Sequence, residues 1–236
     1  RRVCEGSVFV CISGAVSDGH SYIADVAEKK AAAVIVEKDV KLPEGLTVIK
    51  VSDTRYALAL MSAAYFGYPA DRLKVIGITG TKGKTTTTYM VKSILEGVGH
   101  KVGLIGTIEV LIGDKSIPAN NTTPESYTIQ KYFAEMVKAG CDSVVMEVSS
   151  QGLMLHRTAG IPFEIGIFTN LGEDHIGPNE HKDFEDYKHC KGLLFKQCRL
   201  GIANVDDRWF EDVFAGATCK VETFGLSEKA GLRAAD

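Results

Sequence analysis

The sequence Val75-Ile76-Gly77-Ile78-Thr79-Gly80-Thr81-Lys82-Gly83-Lys84-Thr85-Thr86 decides the fold. Its apolar, β-branched beginning predicts a buried strand, which breaks into a glycine-rich turn and then a helix from Thr85 to about Glu96. A strand, a glycine loop, a Lys-Thr pair and a helix in this order are typical of a loop that binds a triphosphate. We expect Lys84 to reach the outer phosphates and the Thr85 hydroxyl to ligate Mg²⁺.

This loop is shorter than the general phosphate-binding pattern, which has four residues between its first glycine and its Gly-Lys pair. Here only two residues separate Gly80 from Gly83, and Ile78 stands where the longer pattern has glycine. The alternative is a glycine-rich turn that binds nothing. The strand, the Lys-Thr pair and the helix favour phosphate binding, because they are the context that the motif requires.

Length and composition are ordinary for a globular protein: 236 residues, of which 45% are hydrophobic and 24% are charged. The net charge of −3 gives no basic surface, so we expect no nucleic-acid partner. We expect no membrane insertion and a cytoplasmic location, because the sequence has neither a long apolar run nor a signal-peptide core. The six cysteines form no Cys-x-x-Cys motif and predict reduced thiols. We expect a monomer.

The order of predicted elements indicates two α/β domains, residues 1–70 and 71–236, with a boundary near Gly67-Tyr68-Pro69. In the second domain, near-continuous apolar strands separated by helices predict a mostly parallel sheet with helices on both faces. Its predicted strands after the first are 101–108, 142–148, 165–171, 200–205 and 221–224, and its predicted later helices are 126–139 and 183–198. Both ends of the sequence look cut, so we expect a fragment of a longer protein.

Polar residues follow several of these strands, where ligands of a parallel sheet collect. Glu147 ends an apolar strand and could hold Mg²⁺ opposite Thr85, or could make only a structural hydrogen bond. A phosphate loop needs a second hard ligand, which favours the metal. Asp174 and His175, shortly after Asn170, could contact a metal or a phosphate, although a surface or capping role for His175 is equally open.

Other polar groups give weaker signals. The loop Asn121-Thr122-Thr123 suits a polar substrate, although its composition alone favours a solvated loop. Lys191 taken alone is an ordinary helix lysine. The histidines and cysteines between His175 and Cys198 match no common zinc spacing, and Ser149-Ser150 shows no catalytic-triad pattern.

Taken together, these motifs resemble the Mur ligase family. The segments that carry the resemblance, in the order found in that family, are 80–86, 121–124, 147–150, 169–171 with 174–175, and 191–195. The short phosphate loop is that family's form. Residues 8–14 and 18–20 resemble its uridine-binding domain. The resemblance therefore implies a UDP-sugar-binding domain over residues 1–70 and an incomplete ATP-binding central domain over residues 71–236.

The resemblance implies an ATP-dependent amide-bond ligase of peptidoglycan precursor synthesis. The γ-phosphate of ATP would pass to the D-Glu carboxylate of a UDP-N-acetylmuramoyl-dipeptide and give an acyl phosphate. The amine of a diamino acid, meso-diaminopimelate or L-lysine, would then attack it. The family's third, C-terminal domain lies outside this sequence, so we expect the fragment itself to be inactive.

The resemblance also implies residue roles. Lys84, His175 and Lys191 would be catalytic. Thr85, Glu147, His175 and Lys191 would ligate Mg²⁺, Lys191 in carbamylated form. The implied ATP-binding residues are Gly80, Thr81, Lys82, Gly83, Lys84, Thr85 and Thr86. The implied substrate-binding residues are Ala15, Val16 and Ser17 for the uridine, and Asn121, Thr122, Thr123, Ser149 and Arg157 for the sugar-dipeptide.

Two positions and one segment depart from the family pattern. Gln151 stands where the family often has histidine, Leu155 where some members have a substrate-contacting glutamine, and residues 176–182 differ from the usual sequence. These changes leave the ATP machinery intact and allow a paralogous ligase with a different acceptor. A nucleotide-binding module is the other alternative, and Glu147, His175 and Lys191 argue against it.

Overall fold

The computed structural model describes residues 3–41, 43–174, 176–178 and 180–234. The chain divides into two compact units, Arg1–Met61 and Ser62–Asp236. The domain boundary expected near residue 70 stays a prediction. His175, a predicted catalytic residue and metal ligand, lies outside the described residues.

The first unit is built on a three-stranded parallel sheet of order β1-β2-β3. Its strands are β1 (Val8–Val10), β2 (Ala33–Val36) and β3 (Thr47–Lys50), and helix α1 (Ile23–Glu28) joins the first two. The central strand β2 is buried along its whole length. Helix α2 (Thr54–Tyr65) follows β3. The alternation of strands and helices predicted for this region is confirmed.

The second unit contains a nine-stranded sheet of order β12-β11-β10-β9-β4-β8-β5-β6-β7. Among the described strands, only the β5–β6 and β6–β7 pairs are antiparallel. The strands are β4 (Lys74–Thr79), β5 (Val102–Ile105), β6 (Glu109–Ile112), β7 (Lys115–Pro118), β8 (Ser143–Glu147), β9 (Phe163–Phe168), β10 (Cys198–Asn204), β11 (Lys220–Gly225) and β12 (Leu232–Arg233). The phosphate-loop strand β4 is central and pairs with β8 and β9.

Helices cover both faces of this sheet, as predicted. Helix α3 (Lys84–Gly97) packs Val91 and Leu95 against Ile76 and Val145 on one face. The other face is covered by an apolar cluster to which α4, α5, α6 and α7 contribute. These helices are α4 (Ser126–Lys138), α5 (Ser150–Met154), α6 (Phe184–Gly192) and α7 (Phe210–Phe214). Within the part of the chain that is described, no helix is both long and apolar enough to cross a membrane.

Three predicted elements differ from the observed ones. The strand expected over 165–171 ends at Phe168, because the next residues turn to hydrogen-bond the phosphate loop. The helix expected over 183–198 ends at Gly192 and continues as a 3₁₀ turn, since Cys198 already pairs with Phe163 in the sheet. The strand expected over 101–108 stops at Ile105 and reverses into the β6–β7 hairpin, which the sequence analysis missed.

Candidate functional site

The phosphate loop connects β4 to α3 and depends on two glycines. Gly80 has φ +152°, and a Cβ added there would lie 2.0 Å from the hydroxyl oxygen of Thr169. Gly83, at the N-cap of α3, has φ +82°. A side chain at Gly80 would therefore collide with the neighbouring strand end, whereas Gly83 is required only for its left-handed backbone.

The segment that follows β9 fixes the shape of this loop. The side-chain oxygen of Asn170 accepts a hydrogen bond from the Lys82 backbone N–H at 3.0 Å, and its amide nitrogen donates to the Lys82 carbonyl, also at 3.0 Å. The Thr169 hydroxyl donates to the same carbonyl at 2.9 Å. Asn170 therefore fixes the backbone of the loop at Lys82 through two hydrogen bonds.

Two lysines meet at the beginning of the loop. Lys84 donates from Nζ to the Gly80 carbonyl at 2.8 Å and to the Thr81 carbonyl at 3.0 Å. Lys191, on α6, is 1% exposed and also donates to the Gly80 carbonyl, at 2.8 Å. Its Nζ lies 4.4 Å from the centroid of the Tyr187 ring.

The environment of both lysines disfavours their charged forms. Burial lowers the pKa of Lys84, although the carboxylates of Glu147 and Asp174 oppose this effect. Burial, reinforced by the positive charge of Lys84, lowers the pKa of Lys191 well below its usual value. Lys191 is thus held toward the neutral amine, a property that no local sequence pattern predicts.

The buried carboxylate of Glu147 faces the start of α3. It is 1% exposed and accepts hydrogen bonds from the Thr85 hydroxyl at 3.0 Å and from the Thr107 backbone N–H and hydroxyl at 2.9 and 3.0 Å. The predicted pairing of Thr85 with Glu147 is thus present in the geometry. Thr107, which follows β5, was not among the predicted site residues, although its place after a parallel strand was an available signal.

A cavity of about 210 Å³ adjoins the loop. Its lining residues are Lys84, Asn121, Thr122, Thr123, Ser149, Ser150, Gln151, Arg157, Glu180 and His181. All five residues expected to hold a sugar-dipeptide line this cavity together with the phosphate-loop lysine. Ser150, Glu180 and His181 were not among the expected site residues.

Hydrogen bonds within the cavity wall hold several of these groups. The Thr123 hydroxyl donates to the Glu147 carbonyl at 3.0 Å and accepts from the Ser149 backbone N–H at 2.9 Å. Arg157 donates from Nη1 to the Thr123 carbonyl at 3.0 Å and pairs with Glu125 at 2.9 Å. Arg157 therefore fixes the 121–125 loop as well as lining the cavity.

A buried histidine joins the cavity wall to α6. In His181, which is 1% exposed, Nε2 lies 2.8 Å from the Ser150 hydroxyl oxygen and Nδ1 lies 3.1 Å from a carboxylate oxygen of Asp186. Burial by itself would raise the pKa of Asp186, but the hydrogen bond from His181 brings it below its usual value. This arrangement has no local sequence signal, because Ser150 and His181 are 31 positions apart in the sequence.

His181 and Asp186 also lie near Cys190, and the potential ligand atoms of the three residues fall within 4.8 Å of one another. This group does not suit a metal ion. Both ring nitrogens of His181 are engaged in hydrogen bonds, and burial raises the pKa of the Cys190 thiol to about 12. The structure therefore gives no support to zinc at these described residues.

The residues expected to hold uridine lie in the first unit. Ala15, Val16 and Ser17 form an exposed loop between Ser13 and Asp18, which make an isolated antiparallel bridge. Val16 is fully exposed. The role of this loop stays a prediction.

The fold and the phosphate loop define a P-loop α/β protein. A family profile described as "Mur ligase middle domain" matches residues 78–236. The chain belongs to the Mur ligase family.

Two bacterial relatives agree with this assignment. The chain is 50% identical over 234 residues to UDP-N-acetylmuramoyl-L-alanyl-D-glutamate--2,6-diaminopimelate ligase 1 of Clostridium acetobutylicum, with 99% of this chain and 48% of the relative covered. It is 48% identical over 239 residues to the enzyme named UDP-N-acetylmuramoyl-L-alanyl-D-glutamate--2,6-diaminopimelate ligase in Clostridium perfringens, with 99% and 49% covered. The chain thus spans about half the length of these relatives.

Solved structures show the same fold. A structure of a UDP-N-acetylmuramoyl-L-alanyl-D-glutamate--2,6-diaminopimelate ligase superposes with a TM-score of 0.86 at 23% identity, covering 100% of this chain and 49% of that one. A MurF ligase from Thermotoga maritima, solved in complex with ADP, gives a TM-score of 0.59 at 21% identity, with 96% and 49% covered.

Proposed function

We propose that the protein containing this chain is an ATP-dependent ligase that joins 2,6-diaminopimelate to UDP-N-acetylmuramoyl-L-alanyl-D-glutamate. The names of the relatives at 50% and 48% identity support this choice of acceptor and diamino acid. The observation that carries the proposal is that the phosphate-loop residue Lys84 lines the same cavity as Asn121, Ser149 and Arg157. A phosphate donor and a polar acceptor could meet there.

The loop supplies what phosphoryl transfer requires, namely positioning and positive charge. The backbone N–H groups at the start of α3 and the ammonium of Lys84 would hold the triphosphate of ATP. The D-Glu carboxylate would attack the γ-phosphorus, so that a C–O–P bond forms and ADP leaves. An ADP complex of a structurally similar MurF ligase supports the use of ATP.

The Thr85 hydroxyl and the Glu147 carboxylate suit Mg²⁺, since both offer hard oxygen ligands and lie 3.0 Å apart. Bound Mg²⁺ would neutralise phosphate charge during the transfer. Thr107 would keep the Glu147 carboxylate oriented toward Thr85 through its two hydrogen bonds. His175 is proposed as a further ligand from the family resemblance alone.

Lys191 is proposed to carry a carbamate. Only a neutral amine reacts with CO₂, and burial beside Lys84 holds Lys191 toward that form. The modification would replace an amine donor with oxygen ligands close to Gly80, to which Lys191 now donates. As a free amine, Lys191 is not a ligand for Mg²⁺.

The two domains would have separate roles. The loop of Ala15, Val16 and Ser17 would hold the uridine, residues 1–70 would form the UDP-sugar-binding domain, and residues 71–236 would form the ATP-binding domain. The protein would act as a cytoplasmic monomer without membrane insertion.

Calorimetric titration tests the acceptor. We expect UDP-N-acetylmuramoyl-L-alanyl-D-glutamate to bind at least about tenfold more tightly than UDP-N-acetylmuramoyl-L-alanine, because the second carboxylate gains charge-assisted hydrogen bonds. Arg157→Lys should weaken binding, whereas Arg199→Lys, at an exposed arginine paired with Glu164, should not. Equal binding of the two compounds by a folded protein would move the assignment to a ligase with another acceptor.

A further inference from the structure

Ser150, His181 and Asp186 form a continuous hydrogen-bonded chain that the steps described above do not use. The Ser150 hydroxyl lies 2.8 Å from Nε2 of His181, and Nδ1 of His181 lies 3.1 Å from Asp186. Ser150 and His181 also line the cavity that contains Lys84. The Ser150 end of this hydrogen-bonded chain thus faces the cavity proposed to bind the acceptor substrate, and the other end is the carboxylate of Asp186.

The carboxylate determines the direction of this chain. Asp186 can only accept a hydrogen bond when ionised, so it places the ring proton of a neutral imidazole on Nδ1. Nε2 then accepts from the Ser150 hydroxyl. A proton arriving at Ser150 can therefore be passed to His181, where Asp186 stabilises the resulting imidazolium.

We propose that Ser150 and His181 form a proton relay for the incoming amine, positioned by Asp186. This inference rests on the proposed ligase function. As the neutral amine attacks the acyl phosphate, an N–C bond forms and the nitrogen loses one proton to the Ser150 oxygen. The proton of Ser150 moves to Nε2 of His181, and the C–O bond to phosphate breaks with its electron pair leaving on inorganic phosphate. His181 then returns the proton to the phosphate or to water.

The arrangement suits a relay better than a purely structural bond. Amide formation from an acyl phosphate requires the attacking nitrogen to lose a proton to an acceptor within reach of the cavity. Lys84 and Arg157 are donors in the observed hydrogen bonds. The Ser150–His181 pair supplies an acceptor in the cavity that would hold the acyl phosphate.

Hydroxylamine provides the test, because its nitrogen is weakly basic and loses a proton to water without help once it has attacked. In the full-length protein, we expect His181→Gln to lower the rate of ligation of diaminopimelate by about 100-fold or more. The same variant should trap the acyl phosphate with hydroxylamine at a rate close to that of the unmodified protein. Ser150→Ala should show the same selective loss of diaminopimelate ligation. Because it removes only one hydroxyl, it keeps the test possible if His181→Gln fails to fold.

The matched control is His189→Gln, at an exposed histidine on α6, the helix that carries Asp186, and it should change neither reaction. Equal loss of both reactions in the Ser150 and His181 variants would overturn the relay and assign a structural role. Unchanged ligation would overturn it as well. If the unmodified protein does not ligate diaminopimelate, the proposed function fails first and the relay fails with it, which distinguishes the two cases.

Discussion

Lys84 and Lys191 both donate a hydrogen bond to the carbonyl oxygen of Gly80, and each Nζ–O distance is 2.8 Å. Two ammonium groups so close together repel each other, and Lys191 is almost completely buried. The arrangement is stable when Lys191 is uncharged. The two lysines therefore differ in state: burial and the neighbouring charge of Lys84 hold the pKa of Lys191 well below its usual value.

The free energy of unfolding should depend on pH through Lys191. Its pKa is lowered in the folded state relative to about 10.5 in the unfolded chain, so between these two values the unfolded chain binds the additional proton. The stability contributed by Lys191 therefore rises with pH in that window. In CO₂-free buffer at pH 7, Lys191→Met should raise the free energy of unfolding by roughly 1–3 kcal/mol, an advantage that shrinks as the pH approaches 10.5.

Urea unfolding at several pH values measures this difference. Lys196→Met, at an exposed lysine on the neighbouring 3₁₀ turn, is the control and should show no such trend. A stability difference for Lys191→Met that is constant between pH 7 and 10 would contradict a neutral Lys191 in the folded protein.

Glu147→Gln should separate the binding of ATP from that of Mg²⁺. The amide keeps one oxygen for Thr107 but loses the negative charge that faces Thr85, so affinity for ATP in the presence of Mg²⁺ should fall about 10–100-fold. Binding of ATP in the presence of a chelator should change little. Calorimetry with and without Mg²⁺ checks this, and Glu109→Gln, on β6, serves as the control. Equal losses under both conditions would argue against a metal role.

Replacing Gly80 or Gly83 with alanine should lower the free energy of unfolding by different amounts. At Gly80, the new Cβ would lie 2.0 Å from the Thr169 hydroxyl oxygen in addition to the strain of a positive φ, so we expect a loss of about 2–4 kcal/mol in the free energy of unfolding. At Gly83 nothing lies within 4 Å of the Cβ, and backbone strain alone should cost about 1–2 kcal/mol. Chemical denaturation gives both values, and equal losses would show that the loop relaxes around Thr169.

Elements encoded within one stretch of sequence were predictable. The β4–loop–α3 unit has strand, glycine and helix signals side by side, and its helix begins within one residue of the expected position. Glu147 was located at a strand end for the same local reason. The parallel sheet followed from the succession of apolar strands and helices.

Relationships across the fold were not predictable. The hydrogen bond between Ser150 and His181 joins residues from separate elements and has no periodic pattern. The lowered pKa of Lys191 arises from burial and from Lys84, which is distant in sequence. The missed hairpin did have a local signal, since Gly113, with φ +56°, and Asp114 form a two-residue turn between β6 and β7.

The β6–β7 hairpin also affects how the molecule behaves at high concentration. A parallel sheet that ended at β5 would expose a buried-type strand whose unpaired backbone groups could recruit another chain. Instead, the sheet ends on the four-residue strand β7, which begins with the exposed Lys115 and ends with Pro118, a residue that has no N–H to donate. This edge therefore resists edge-to-edge aggregation, so the hairpin favours colloidal solubility as well as completing the sheet.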